Sequence, residues 1–200
     1  TNFYIYCAHK TVPAALAALA GDPEIALDGL LCPGHVSVII GRDAYRPVAE
    51  DFHIPCVIAG FEPLDVLQAL LLLVRQIAAG RAEVEVPYTR AVPPAGNPAA
   101  RQVLYQVFEP ADAAWRGLGV IPGSGLRLRA EYAAHDAAAW APSVETAPRD
   151  TGCACGRILT GRLAPADCPR FATACTPAHP LGPCMVSSEG ACAAAYKYGR

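Results

Sequence analysis

IPCVIAGFEPLDVLQALLLLVRQIAAG, residues 54–80, decides the reading of the fold. Ile54 to Ala59 is short, uncharged and apolar throughout, as a strand buried on both faces is. Gly60 breaks it. Pro63 suits a first helical turn, because the N–H it lacks has no partner there in any case. One helix then runs from Pro63 to Ala79, and Gly80 closes it. Strand, tight break and helix make one βα unit.

The same order recurs upstream. Phe3 to Ala8 reads as a strand and Pro13 to Ala20 as a helix, stopped by Gly21 and Asp22-Pro23. Leu27 to Cys32 reads as a second strand, closed by Pro33-Gly34, and Val36 to Ala49 as a helix weakened at Gly41 and Pro47. Apolar strands alternating with helices predict an α/β fold, a Rossmann-like parallel-sheet domain with helices on both faces. Ligands in such sheets bind outside the carboxyl ends of the strands. Three loops fall there: Cys7 to Lys10, Pro33 to Ser37, and Gly60 to Pro63. They carry His9, His35 and Glu62. His35 and Glu62 are the candidates for a site on that edge, although a carboxylate at a helix start is favoured by the dipole alone. Cys7, Cys32 and Cys56 lie in apolar strands and read as buried hydrophobes.

Downstream, Val84 to Pro98 is Pro-rich and extended, and Ala99 to Phe108 is a short helix. Trp115 to Gly125 holds four Gly and one Pro in eleven residues and reads as a loop. Ala130 to Trp140 reads as a helix and 141–150 as a polar connector. Tyr88, Arg90 and Trp115 are weighed between a partner interface and core packing, with packing preferred. The expected division is an α/β lobe over 1–98, a helical and loop connector over 99–150, and a Cys-rich, irregular and helical iron–sulfur region over 151–200.

Two hundred residues with 53% hydrophobic and 17% charged side chains exclude a disordered chain. A net charge of −2 gives no basic field, which argues against nucleic-acid binding. Asp65, Gln68, Arg75 and Gln76 interrupt the most apolar stretch, so no membrane span is expected. Phe3 to Tyr6 precede Lys10, where a signal peptide would be basic, so the expected location is cytoplasmic. The chain opens on Thr1 and enters a strand almost at once, as a piece of a longer chain would.

Six of nine cysteines fall at 153, 155, 168, 175, 184 and 192. Aliphatic residues are too sparse there to build a core, so a covalent or metal staple is needed. An iron–sulfur cluster comes first, since thiolates hold it at varied spacings. Structural zinc is second: no C-x2-C pair occurs, and His179 is the one nearby histidine. Disulfides come last, given the odd count and the expected compartment. From Thr151 onward five basic residues stand against two acidic ones, a net +3 that suits an anionic cluster. A four-iron cluster needs four thiolates, leaving two for a redox-active pair. Chemistry alone does not choose the four.

GHVSVIIG (34–41), GFEPLDVLQAL (60–70), WRGLGVIPGSGLRL (115–128) and CTPAHPLGPCMVSSEGACAAAYKY (175–198) resemble the HypD family of NiFe-hydrogenase maturation factors. The similarity runs in order along the chain and covers the C-terminal half of family members. It implies two α/β lobes and a C-terminal 4Fe-4S region like that of ferredoxin–thioredoxin reductase. It implies Cys153, Cys168, Cys175 and Cys192 as cluster ligands, with Cys155 and Cys184 as a redox dithiol. His35 and Glu62 would face the iron site. The implied role is a scaffold, not a turnover enzyme, that carries a transient Fe(CN)2CO centre with a HypC-type chaperone, receives cyanide chemistry from HypE, and serves the hydrogenase large subunit indirectly. The family's CGGH-type and GPGCPVC-type motifs, thought to bind the nascent iron, do not occur here. Ala8 stands where Asn usually precedes the histidine, His135 where an aromatic is usual, and Cys32 where a small apolar residue is usual. Two other functions stay open: a thiol–disulfide oxidoreductase acting on a protein, and a structural zinc module.

Overall fold

The computed structural model describes residues 2–25, 27–115, 117–141 and 151–199. Of the polar connector expected over 141–150, all but Ala141 lies outside them. The chain packs as two units, Thr1–Ala113 with Pro122–Ala139, and Ala114–Ile121 with Trp140–Arg200.

The first unit is mixed α/β. Its sheet holds three parallel strands in the order β1 (Leu30–Pro33), β2 (Cys56–Ala59), β3 (Val84–Glu85), with Cys32 opposite Ile58 and Cys56 opposite Val84. Successive side chains point to opposite faces. Val57 and Ala59 meet Ala69, Leu72 and Leu73 of α4 (Pro63–Ala78) on one face. Cys32, Cys56 and Ile58 meet Tyr45 and Val48 on the other, with Val12 and Leu16 of α1 (Val12–Ala20) packed beside them. The helix read from residues 63–80 is therefore in place. It ends in a Schellman turn, with Arg81 N–H on the Gln76 carbonyl (3.0 Å) and Gly80 N–H on that of Ile77 (3.1 Å).

Several expectations are corrected. Phe3 to Ala8 is not a strand of this sheet. Ile5 N–H donates to the His135 carbonyl (2.9 Å), Ala137 N–H to that of Ile5 (3.0 Å) and Thr11 N–H to that of Ser124 (2.8 Å). Periodicity identifies an extended segment but not its partner. The third strand is instead Val84–Glu85, from the Pro-rich stretch. The helix expected over Val36 to Ala49 splits into α2 (Gly34–Ile40), a 3-10 turn (Arg42–Tyr45) and α3 (Arg46–Phe52). Gly41 ends the first piece, and Pro47 sits in the opening turn of the last, where it does no harm.

α5 (Pro98–Val107) matches its expected helix, and its Asn97 side chain accepts the Ala100 N–H at 3.0 Å. The Gly-rich stretch from Trp115 is not a loop. It lies within a hairpin of β4 (Phe108–Trp115) and β5 (Gly119–Leu128). Gly125 suits the strand because a Cβ there would sit 2.7 Å from that of Ala113. Ala130 to Trp140 forms two 3-10 turns, not an α-helix. Asp136 separates them: its backbone is extended, and its carboxylate accepts the Ala138 N–H at 2.9 Å.

The second unit carries α6 (Cys155–Leu159), α7 (Pro183–Val186) and α8 (Ala191–Tyr198). No helix among the described residues is long and apolar enough to cross a membrane.

Tyr45 and Ser37 are fully buried, with hydroxyls 3.0 Å apart, and Ser37 donates to the Pro33 carbonyl at 2.7 Å. Burial pushes the Tyr45 phenol up to about 12, against the lowering effect of the Ser37 bond. The neutral phenol therefore favours the folded state fully below its ordinary value of about 10, and the advantage fades as pH rises toward 12. Tyr45→Phe should cost about 1 kcal/mol at neutral pH through the lost hydrogen bond. It should also flatten the loss of stability above about pH 10, as read by urea melts of both proteins.

Candidate functional site

The second unit is built on sulfur. Its core holds Ile158, Cys168, Cys175, Cys184, Met185, Cys192 and Ala193, with Cys155, Leu163, Phe171 and Leu181 packed partly buried around them. Short elements bring the cysteines in. Cys155 opens α6, Cys168 follows a 3-10 turn (Pro165–Asp167), Cys184 lies in α7 and Cys192 in α8. Cys153 and Cys155 are half-buried, and all nine cysteines of the chain are free. A side chain at Gly182 would collide with the Cys153 sulfur, and its Cβ would stand 3.6 Å from that of Cys155. Glycine is therefore needed two residues before Cys184.

The electrostatics show how closely these sulfurs gather. Cys192 is pushed up to about 11, by burial first and then by Cys184, Cys175, Cys153 and Cys168. Burial raises Cys184 as well, with Cys153 and Cys175 adding to it. Cys153 is raised by burial, and the nearby Cys155 and Cys168 add to the rise. Cys168 goes the other way. Burial would raise it, but N–H groups of Ala154, Arg170 and Phe171, with the Arg170 guanidinium, hold it below the ordinary thiol value. Cys175 accepts the Leu181 N–H at 3.4 Å. Such donors stabilise anionic sulfur and are the usual outer support of a metal thiolate. Crowded thiolates repel one another unless a cationic core neutralises them. Among the described residues, no three His, Cys, Asp or Glu side chains stand close enough to share a single metal ion. Ligands of a polynuclear core stand at its corners and need not converge.

The carboxyl edge of the three-stranded sheet carries a second cluster. His35 lies in the first turn of α2, and its ring is 5.2 Å from that of Phe61. Glu62 is the exposed N-cap residue of α4. Asp65, one turn on, is buried and grips Arg90 in two bonds of 2.9 and 2.7 Å. Glu62 is 3.8 Å from the same guanidinium, which stacks 4.4 Å over the Tyr88 ring. That ring is wedged between two loops. A Cβ at Gly34 would meet it at 3.0 Å and one at Gly60 at 2.8 Å. His35 and Glu62 thus come to one edge, as read from sequence. Arg90 is not in the core: it is the bond that ties this edge together.

Asp65 was not singled out from sequence. Its place at the third helical position, where the helix dipole favours an acidic side chain, is a signal that could have found it. Nothing local points to its partner, 25 residues on. The Cys7–Lys10 loop does not belong to this edge. Cys7 is half-buried; its thiol donates to the Leu126 carbonyl at 2.9 Å and lies 3.2 Å from His9 Nδ1. Cys32 and Cys56 are buried as expected. The neighbouring Cys56 sulfur, aided by burial, keeps the Cys32 thiol protonated.

The Arg90 guanidinium holds the Asp65 carboxyl below the usual carboxylate range. The pair therefore adds stability above that range, and loses it as pH falls through the lowered value. Arg90→Gln should lower the melting temperature at pH 7, by an amount that shrinks toward about pH 2. A loss independent of pH would instead trace to packing on Tyr88.

The HypD family model, described as the hydrogenase formation hypA family, matches residues 1–199. The hydrogenase maturation factor HypD of Rhodobacter capsulatus is 48% identical over 204 residues, covering 99% of this chain and 54% of its own length. That of Azotobacter vinelandii is 48% identical over 206 residues, covering 100% and 54%. That of Escherichia coli K12 is 47% identical over 199 residues, covering 98% and 53%. The chain spans about half the length of these relatives. It belongs to the HypD family of hydrogenase maturation factors.

Proposed function

We propose that this chain is part of a scaffold for hydrogenase maturation. In this reading it holds a 4Fe-4S cluster through Cys153, Cys168, Cys175 and Cys192, beside a redox dithiol of Cys155 and Cys184. One observation carries it: six sulfurs gather in and around a core that has only a handful of other apolar side chains. The donor set fits such a group, because it is all sulfur, largely buried, and supplied with N–H donors at Cys168 and Cys175. When bound, the cluster supplies one-electron chemistry at a buried site. The chain's own residues do the rest. The N–H groups of Ala154, Arg170 and Phe171 favour the ionised Cys168 sulfur, and Met185 and Ile158 keep the site dry. Closing a Cys155–Cys184 bond releases two protons and two electrons; opening it takes them back.

On the carboxyl edge, Arg90 fixes the loops that carry His35 and Glu62. These two side chains would face the cargo iron, the Fe(CN)2CO centre, as it is assembled and delivered. The proposed partners are a HypC-type chaperone, HypE and, indirectly, the hydrogenase large subunit, all in the cytoplasm.

Burial favours a second division of the six cysteines. Cys168, Cys175, Cys184 and Cys192 are the buried four, while Cys153 and Cys155 are half-buried and two residues apart. On burial alone, the ligands would then be the buried four, with Cys153 and Cys155 as the dithiol.

Anaerobic purification with iron and sulfide assays tests both. About four irons per chain and absorption near 400 nm are expected. Cys168→Ser, Cys175→Ser and Cys192→Ser should each bleach the chain. Under the first division Cys153→Ser also bleaches and Cys184→Ser does not; under the second these swap. A colourless protein with stoichiometric zinc would overturn the cluster in either form.

A further inference from the structure

The Gly-rich stretch that joins β4 to β5 has so far no part in the cluster or in the carboxyl edge. Its turn belongs to the second unit, within Ala114–Ile121. The Leu118 N–H closes it on the Trp115 carbonyl at 3.0 Å, and Gly117 takes φ +88°, a conformation that favours glycine at the third residue of a tight turn. Gly119 has φ +83°, yet a Cβ there would meet nothing within 4 Å. Gly117 differs. A Cβ on it would stand 3.3 Å from the Gly156 Cα and 3.4 Å from the Cys155 sulfur. From the other side, a Cβ at Gly156 would stand 2.6 Å from the Gly117 carbonyl oxygen. Gly156 lies inside α6 without a positive φ, so the helix itself would accept alanine there, and the hairpin turn is what forbids it. Two facing glycines thus let the turn press its backbone on Cys155.

Cys184 is 4% exposed and Cys155 is half-buried, so exchange with an outside thiol begins at the Cys155 sulfur. We infer that the turn at Gly117, seated on Cys155 through Gly156, sets which thiols reach this pair: it bars the sulfur of a folded protein and admits low-molecular-weight thiols. A small thiol ends in a slim CH2–S arm. A cysteine of a folded protein brings its flanking backbone with it, and that backbone meets the turn. The exchange balances. The thiolate of one small thiol bonds to the Cys155 sulfur, the Cys155–Cys184 bond breaks, and Cys184 leaves as a thiolate and takes up a proton. A second small thiol then frees Cys155, which takes up the other proton, and the two small thiols depart as their disulfide. They are oxidised by two electrons and the cysteine pair is reduced by two. The inference rests on the reading of Cys155 and Cys184 as the dithiol, and it argues against a folded protein as their exchange partner.

The test uses the whole chain, purified without oxygen and reduced with dithiothreitol that is then removed. It is treated with N-ethylmaleimide or with the same maleimide fixed to the surface of a small folded protein, and modification of Cys155 is followed by peptide mapping. N-ethylmaleimide should modify Cys155, and the protein-borne maleimide should leave it nearly untouched. Gly156→Ala, which pushes the turn away, should raise the protein-borne rate roughly tenfold and the N-ethylmaleimide rate by less than about twofold. Iron per chain and circular dichroism should stay as in the wild type. If Gly156→Ala loses iron, Gly117→Ala opens the same contact from the turn and takes its place. Equal rates of the two reagents at wild-type Cys155 overturn the proposal, and so does a variant that leaves the protein-borne rate unchanged. Neither result touches the dithiol reading. That reading fails instead if the oxidised chain maps to a bond other than Cys155–Cys184, and the inference falls with it.

Discussion

Sulfur occupies the interior of the second unit where hydrocarbon would ordinarily lie. Ile158, Leu163, Phe171, Leu181 and Met185 are too few to hold three short helices and two tight turns by their transfer free energy alone. Thiols are small and polarisable, and among the most buried of side chains. Yet six together carry a penalty that aliphatics do not, since ionising any one makes the next harder. Burial and neighbouring sulfurs raise Cys153, Cys184 and Cys192, while backbone donors lower Cys168. Close packing around the same cysteines also excludes side chains at Gly182 and Gly190. A Cβ at Gly190 would collide with the Cys184 backbone.

The first unit solves a different problem. Its three strands are four, four and two residues long, so the ladder alone fixes little. The loops at the carboxyl ends are fixed by Tyr88, slotted against Gly34 and Gly60, and by Arg90, held on the buried Asp65. The same contacts that stabilise the edge thus set the positions of His35 and Glu62. A change at Tyr88 or Arg90 is felt there without touching either residue.

What could be read from sequence depended on how local the deciding physics was. α4 and β2 were legible because continuous apolar character, a proline at the first turn and a closing glycine all act within a few residues. β4 and β5 were not, because glycines that usually break strands here allow close approach between strands. Phe3 to Ala8 was recognisably extended, but its partners, more than a hundred residues on, decide where it belongs. The six cysteines were visible as a group from spacing and resemblance. Their burial, which separates Cys153 and Cys155 from the other four, depends on packing and could not be read ahead of it.

The Phe3 carbonyl accepts from or lies beside His135 Nδ1 at 3.0 Å, across 132 positions of chain. During synthesis, at about 5–20 residues per second, Phe3 is made on the order of ten seconds before that partner exists. The Phe3 carbonyl stays with water through that interval. The first unit therefore closes through a contact of high sequence separation, one of the slower kinds to form.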